Sequence, residues 1–153
     1  MERPDLGTDI QLQHRLTLGS ALQLETVGGD LVTTTGLDNL SQALWLRLGV
    51  PRGDLTNLGH PDFGSRLHLL IGRLATPETL ALARAYVREA LRREPRIAEV
   101  SRVDVAVNPV DRGELLIAIS LRPVGKADPI DLSLTFALEP GQVEATAHAA
   151  AGR

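Results

Sequence analysis

Cysteine is absent from the 153 residues. That excludes disulfides, thiolate zinc sites, iron–sulfur clusters and cysteine nucleophiles, and it reads as a chain made in a reducing compartment, the cytoplasm. Aromatic residues make up only 3% (Trp45, Phe63, Tyr86 and Phe136), too few for the stacking platforms that single-strand nucleic-acid binders use. Lysine is nearly missing as well: Lys126 stands alone, and every other basic side chain is arginine. Arginine favours bidentate, partly buried contacts, although a bias toward GC-rich codons gives the same skew. No apolar run reaches the ~18 residues that span a bilayer. Met1-Glu2-Arg3-Pro4-Asp5 has no apolar stretch behind its arginine, so neither a signal peptide nor membrane insertion is read. The formal net charge of −3, with a pI near 5.8, argues against nucleic acid or an anionic membrane as a partner held by overall charge.

What is present is an ordinary soluble composition, 43% hydrophobic and 23% charged, at the length of one domain. A chain of this size buries roughly 70% of its unfolded surface, enough for a core without staples. Weak alternation over residues 10–34 predicts two or three short extended segments. Asp38 or Asn39 is a plausible N-cap for a first helix, whose apolar stripe is Leu40, Ala43, Leu44 and Leu48 and which Gly49 and Pro51 end. Leu55 and Leu58 are expected to pin the following loop to the core. A second, short helix is expected over about 64–74, with Leu67, Leu70, Ile71 and Leu74 inward. Thr76-Pro77-Glu78 supplies a cap, an N1 proline and a first-turn acid for the third helix, Pro77 to about Arg93. Along it Arg84, Arg88 and Arg92 follow one another at i+4 as an exposed ridge: a solvated face, or a groove for an acidic partner.

After Pro95 the period changes from 3.6 to 2. Three strands follow: Val103 to Val107, Leu115 to Leu121, and Ile130 to Leu138. The loops between them are short enough for an antiparallel meander. The middle strand, apolar on both faces, suits a central position, and the last, apolar on one face, suits an edge. The fold class is therefore α+β: one domain over residues 1–140, about three helices on a C-terminal meander, then a flexible alanine-rich tail at 141–153.

Nothing in the sequence assembles a reaction centre. His14, His60, His68 and His148 lack metal-site spacing, Gly125-Lys126 lacks a phosphate loop around it, and no serine sits in a nucleophile elbow. No cofactor is expected. Arg52-Gly53-Asp54 spells an adhesion tripeptide but serves a tight turn. A less ordinary feature is Arg93-Glu94-Pro95-Arg96-Ile97 at the helix-to-strand junction. Opposite charges flank a rigid proline there, a geometry suited to an interlocking contact.

Several segments, taken in order, resemble the phage gpW/gene 25-like baseplate wedge family and its relatives in type VI secretion and phage-tail-like contractile injection systems. They are GLDNLSQAL at Gly36 to Leu44, RLGVPRGDL at Arg47 to Leu55, LGHPDFGSRL at Leu58 to Leu67, and EAL with EPRI at Glu89 to Ile97. The motif residues singled out are Gly36, Asn39, Gln42, Gly53, Pro61, Asp62, Phe63 and Gly64. The resemblance implies a non-enzymatic baseplate subunit in several copies per particle, about six. Its implied partners are the sheath protein, other wedge subunits, and hub or spike and tube components. It also implies wedge contact through Glu94, Pro95 and Arg96, and sheath initiation by strand addition. The edge expected to dock the sheath lies within Val100 to Val107 or within Ile130, Leu132, Leu134, Phe136 and Leu138. Family members have been labelled lysozyme-like, so a particle-borne peptidoglycan hydrolase is the rival reading.

Overall fold

Short bursts of alternation near the N-terminus give five strands of two or three residues each. These are β1 (Thr8–Ile10), β2 (Leu16–Thr17), β3 (Thr26–Val27), β4 (Asp30–Leu31) and β5 (Thr33–Thr35). β1 pairs antiparallel with β5, and β3 with β4. The structure is a computed structural model that describes residues 7–10, 16–17, 26–27, 30–31, 33–139, 144–145 and 148–150. The helix α1 spans Gly36–Gly49 and starts straight out of β5, with Thr35 in the cap position. It begins two residues before the expected Asp38 cap. Gly36, at φ +63°, makes the strand-to-helix corner and donates its N–H to the Gly7 carbonyl at 3.3 Å. Asn39 is buried inside the first turn rather than capping it.

Leu40, Leu44 and Leu48 bury one face of α1, as the stripe predicts. The expected second helix is a correction. Only Leu67–Leu70 coils, as a single 3-10 turn, because Gly64 and Gly72 bracket it in positive-φ geometry. Leu67 and Leu70 are buried as expected, but Leu58 and Leu74 are 73% and 80% exposed and pin nothing. The helix α2, Pro77–Leu91, has the predicted cap: the Thr76 hydroxyl accepts from the Thr79 N–H at 3.3 Å. It is the second α-helix and the longer one.

The C-terminal meander forms as read, from β6 (Ile97–Val107), β7 (Glu114–Pro123) and β8 (Ile130–Ala137), with β7 central. Leu115, Ile117, Ile119 and Leu121 alternate inward along β7 and are fully buried. Val103, Val105, Leu134 and Phe136 extend that inner layer, and the helices cover it. A core leucine buried this way contributes on the order of 2 kcal/mol. The opposite face runs Ala106, Leu116 and Thr135 in register across the three strands and is open, with Leu116 39% exposed.

The sheet order is β10-β8-β7-β6, where β10 is His148–Ala150 and β9 (Glu144–Ala145) pairs with β2. This corrects the reading of Ile130 to Leu138 as a free edge: β10 covers β8 at Asp131, Leu132 and Ser133. Apart from β9 and β10, the tail expected to be flexible lies outside the described residues. Among those residues β6 is the outermost strand. Its pairing with β7 slips twice, between Ile97 and Glu99 and between Val100 and Arg102, then runs unbroken from Arg102 to Val107.

Candidate functional site

The helix-to-strand junction draws the quoted motifs together. Proline stops α2 from continuing, and the chain turns through Arg92 to Arg96 into β6. That turn sends the Glu94 side chain inward, where the residue is only 4% exposed. Arg96 donates to it from Nε at 2.7 Å, from Nη2 at 3.2 Å and from its own backbone N–H at 3.2 Å. Arg47, at the end of α1, adds Nη2 at 3.3 Å. Burial pushes the Glu94 carboxyl up, but the Arg96 hydrogen bonds and the charges of Arg96 and Arg47 outweigh it and leave the group below the usual carboxylate range. Arg47 also lies over the Phe63 ring, 4.8 Å from its centroid, while its buried Nε meets no partner among the described residues. The corner is thus built around an ionised carboxylate that ties two helices to the sheet. Pro95 is exposed, and Arg96 keeps about a quarter of its side chain in solvent.

A second ionic cluster lies alongside. Arg52 Nη1 reaches Glu89 Oε1 at 2.8 Å and Arg52 Nη2 reaches Asp62 Oδ1 at 3.1 Å. Arg66 grips Glu89 Oε2 through Nη2 at 2.6 Å and Nε at 2.8 Å, and stacks its guanidinium over Tyr86. Arg93 meets Asp62 Oδ1 at 3.2 Å. Hydrogen bonds from Arg66 hold Glu89 below its ordinary range, and the Arg52 hydrogen bond with the Arg93 charge does the same for Asp62. Asp62 Oδ1 is thus shared by Arg52 and Arg93, while the rest of the side chain stays largely in solvent. Arg47, His60, Asp62, Phe63 and Arg93 line a broad, open depression of about 400 Å³ above these clusters.

The loop carrying Pro61, Asp62 and Phe63 is held by a two-bond clasp around Gly64. The Arg52 N–H donates to the Ser65 carbonyl and the Ser65 N–H to the Val50 carbonyl, both at 2.9 Å. The Ser65 hydroxyl caps Leu48 at 2.6 Å. Gly64 has φ +103°, and a Cβ there would stand 2.4 Å from the Val50 oxygen. Gly53 makes the adjoining turn, with the Thr56 N–H on its carbonyl at 3.1 Å. Gly36 and Asn39 sit together at the start of α1, where Asn39 Nδ2 lies 3.2 Å from where a Gly7 Cβ would be. Gln42 is half-buried one turn further on.

Of the residues named for the last strand, Leu134, Phe136 and Leu138 are buried, and Ile130 and Leu132 pack partly against the core. The named side chains therefore face the core, and the exposed ones of that strand are Asp131 and Ser133. The β6 margin is different. Asn108 donates its N–H to the Glu114 carbonyl at 2.9 Å, so that pair is the hydrogen-bonded kind. Antiparallel ladders alternate, so Val103, Val105 and Val107 turn their N–H and C=O away from β7 while the Val103 and Val105 side chains stay in the core.

The fold is thus an α+β domain with a pinned ionic corner and, among the described residues, an uncovered margin at β6, and the chain is similar to proteins of phage tails and baseplates. Baseplate protein gp46 of Escherichia phage Mu is 38% identical over 74 residues, 48% of this chain and 51% of the relative. The matched region thus spans about half the length of that curated relative. The crystal structure of a Geobacter sulfurreducens protein titled a tail lysozyme superposes with a TM-score of 0.62 at 27% identity, over 73% of this chain and 99% of that one. No protein-family model matches the chain.

Proposed function

We propose that the protein is a structural baseplate subunit of the gpW/gene 25-like kind, which joins the baseplate wedge to a contractile sheath and starts sheath assembly by strand addition. The observation that carries this reading is the β6 margin, with three outward main-chain N–H and C=O pairs and no strand beside them among the described residues. A partner strand laid there would be read by its backbone alone, which suits the nucleation of a polymer. In this reading the sheath docks on β6 rather than β8, whose outer side already holds β10. Wedge partners meet Pro95 and the solvent-facing side of Arg96, with Glu94 holding that surface rigid.

The test is co-expression with the sheath and wedge proteins from the same cluster. Val105→Pro removes one outward N–H without touching the β6–β7 ladder; it is expected to abolish sheath attachment in a protein that still folds, with a lowered melting temperature because the Val105 side chain lies in the core. Val107→Pro, at the strand's end, takes its place if Val105→Pro does not fold. Sheath that assembles normally on a folded variant overturns the assignment to β6. Sheath lost instead in a folded Thr135→Pro, whose N–H points away from β7, moves docking to β8.

The tail-lysozyme title of the structural neighbour favours a second reading, peptidoglycan hydrolysis. That chemistry needs a carboxylic acid kept protonated near neutral pH. Asp62, Glu89 and Glu94 are all held the other way, ionised by arginines. A zymogram with purified protein is therefore expected to stay unclear; a cleared band at the protein's mass would establish the hydrolase.

A further inference from the structure

We infer that the groove between the C-terminal end of α2 and the bulged start of β6 receives the acidic end of a partner's extended strand, with its carboxylates on Arg88 and Arg92. This rests on the reading of β6 as the docking margin and specifies the chemistry of what docks. The groove, about 260 Å³, has an apolar floor of Leu91, Ile97 and Val100, with Arg88 and Arg92 along its rim. Arg84 continues the same ridge one turn back. The arginines between residues 47 and 122 divide sharply. Arg47, Arg52, Arg66, Arg73, Arg93, Arg96, Arg102 and Arg122 each meet a carboxylate. Arg84, Arg88 and Arg92 meet none among the described residues, and neither does Arg112 in the β6–β7 loop. Glu99, the acid at the groove, is turned to Arg122 at 3.3 Å.

Three like charges in a row on one helix repel one another, so the ridge opposes folding unless something else recovers the cost. Its position supplies the candidate. α2 packs on β6, the outermost strand among the described residues, and Arg88 and Arg92 share the groove with its bulged start, just before the free margin. A strand pairing along Arg102 to Val107 and continuing past the two bulges would carry every second side chain toward α2. Carboxylates at those positions meet guanidinium groups beside an apolar floor, where screening by water is reduced and bidentate pairing is strong. Arg102 and Asp104, the charged side chains of the regular stretch, pair with each other and leave the choice of partner to the ridge.

The probes are two labelled peptides of twelve residues, one alternating Thr with Glu and one alternating Thr with Gln, titrated against the whole chain by fluorescence anisotropy. The Glu peptide is expected to bind at least about tenfold more tightly, a preference that salt near 1 M removes. Arg88→Glu with Arg92→Glu should bring the two peptides level, whereas Arg112→Glu should leave the preference intact. Equal affinities for the two peptides, or a preference that survives the double reversal in a folded protein, overturns the inference. If the two peptides bind equally and Val105→Pro weakens both, strand addition stands and the acidic partner falls. If the Glu preference persists in Val105→Pro at full strength, strand addition falls and the arginine groove stands. Failure of both peptides to bind at millimolar concentration overturns both readings.

Discussion

Gly64→Ala is expected to lower the unfolding free energy by about 3–5 kcal/mol, with a matching fall in the urea midpoint. Two costs add. A residue with a Cβ held at that left-handed φ loses about 1–3 kcal/mol. The new methyl would also stand 2.4 Å from the Val50 oxygen and 2.9 Å from the Arg52 nitrogen, both backbone atoms that cannot swing aside. The clasp between Arg52 and Ser65 must open, at about 1 kcal/mol for each bond lost. Gly59 gives the control. It too has positive φ, but nothing lies within 4 Å of its would-be Cβ. Gly59→Ala should therefore cost only the conformational part, roughly 1–2 kcal/mol. Equal effects at the two positions would show that the clasp does not depend on close approach.

Glu94→Gln is expected to cost about 3 kcal/mol near neutral pH, because it leaves Arg47 and Arg96 facing a neutral group in a buried corner. The loss has a defined pH dependence. The Glu94 carboxyl titrates below its ordinary 4.5 in the folded protein. Its contribution is therefore complete above that unfolded-state value and disappears as the pH falls through the lower folded-state value. Wild type loses this stabilisation in acid and Glu94→Gln does not, so the two stability curves should draw together as the pH falls below 4.5 and through the lower folded-state value. Urea melts from pH 7 to pH 3 read the convergence directly; a constant gap across that range would mean that Glu94 acts by packing and not by charge. The same logic qualifies alanine substitution at Arg96. Removing Arg96 strips most of the hydrogen bonds from a buried carboxylate, so loss of partner binding in Arg96→Ala must be read beside its stability.

Much of this was legible in the chain because local pattern and burial agree. The alternation from Val103 to Leu138 forms the meander as read, and Thr76-Pro77 caps α2 as read. The 64–74 segment misled because its apolar spacing fits a helix while Gly64 and Gly72, placed for tertiary reasons, limit it to one turn. Leu58 and Leu74 follow the same lesson: periodicity names a face only where an element exists to present it. At the site, the motifs located the right residues but not their direction. Glu94 reads as an outward charge beside a rigid proline, whereas the turn after α2 buries it. Pairing of Arg47 with Glu94 and of Arg52 with Glu89 joins residues 47 and 37 positions apart, beyond the reach of any local rule. The one available signal was indirect: an arginine-rich chain with acids inside its recurring motifs. The exposed β8 edge was misjudged because residues 148–150 return to it, and their composition gave no sign of a strand.

The two slips in the ladder at the start of β6 bear on whether this margin can pair with the same margin of another copy. A long, flat, ungated margin would zip onto its own twin from a neighbouring copy. Here the extra residues kink the first half of the strand, so only the six positions from Arg102 to Val107 keep a straight register. A visitor that short gains little from its backbone alone and must bring further contacts to stay. If strands add at this margin as proposed, the kinks favour one delivered with the right neighbours over the same margin of another copy.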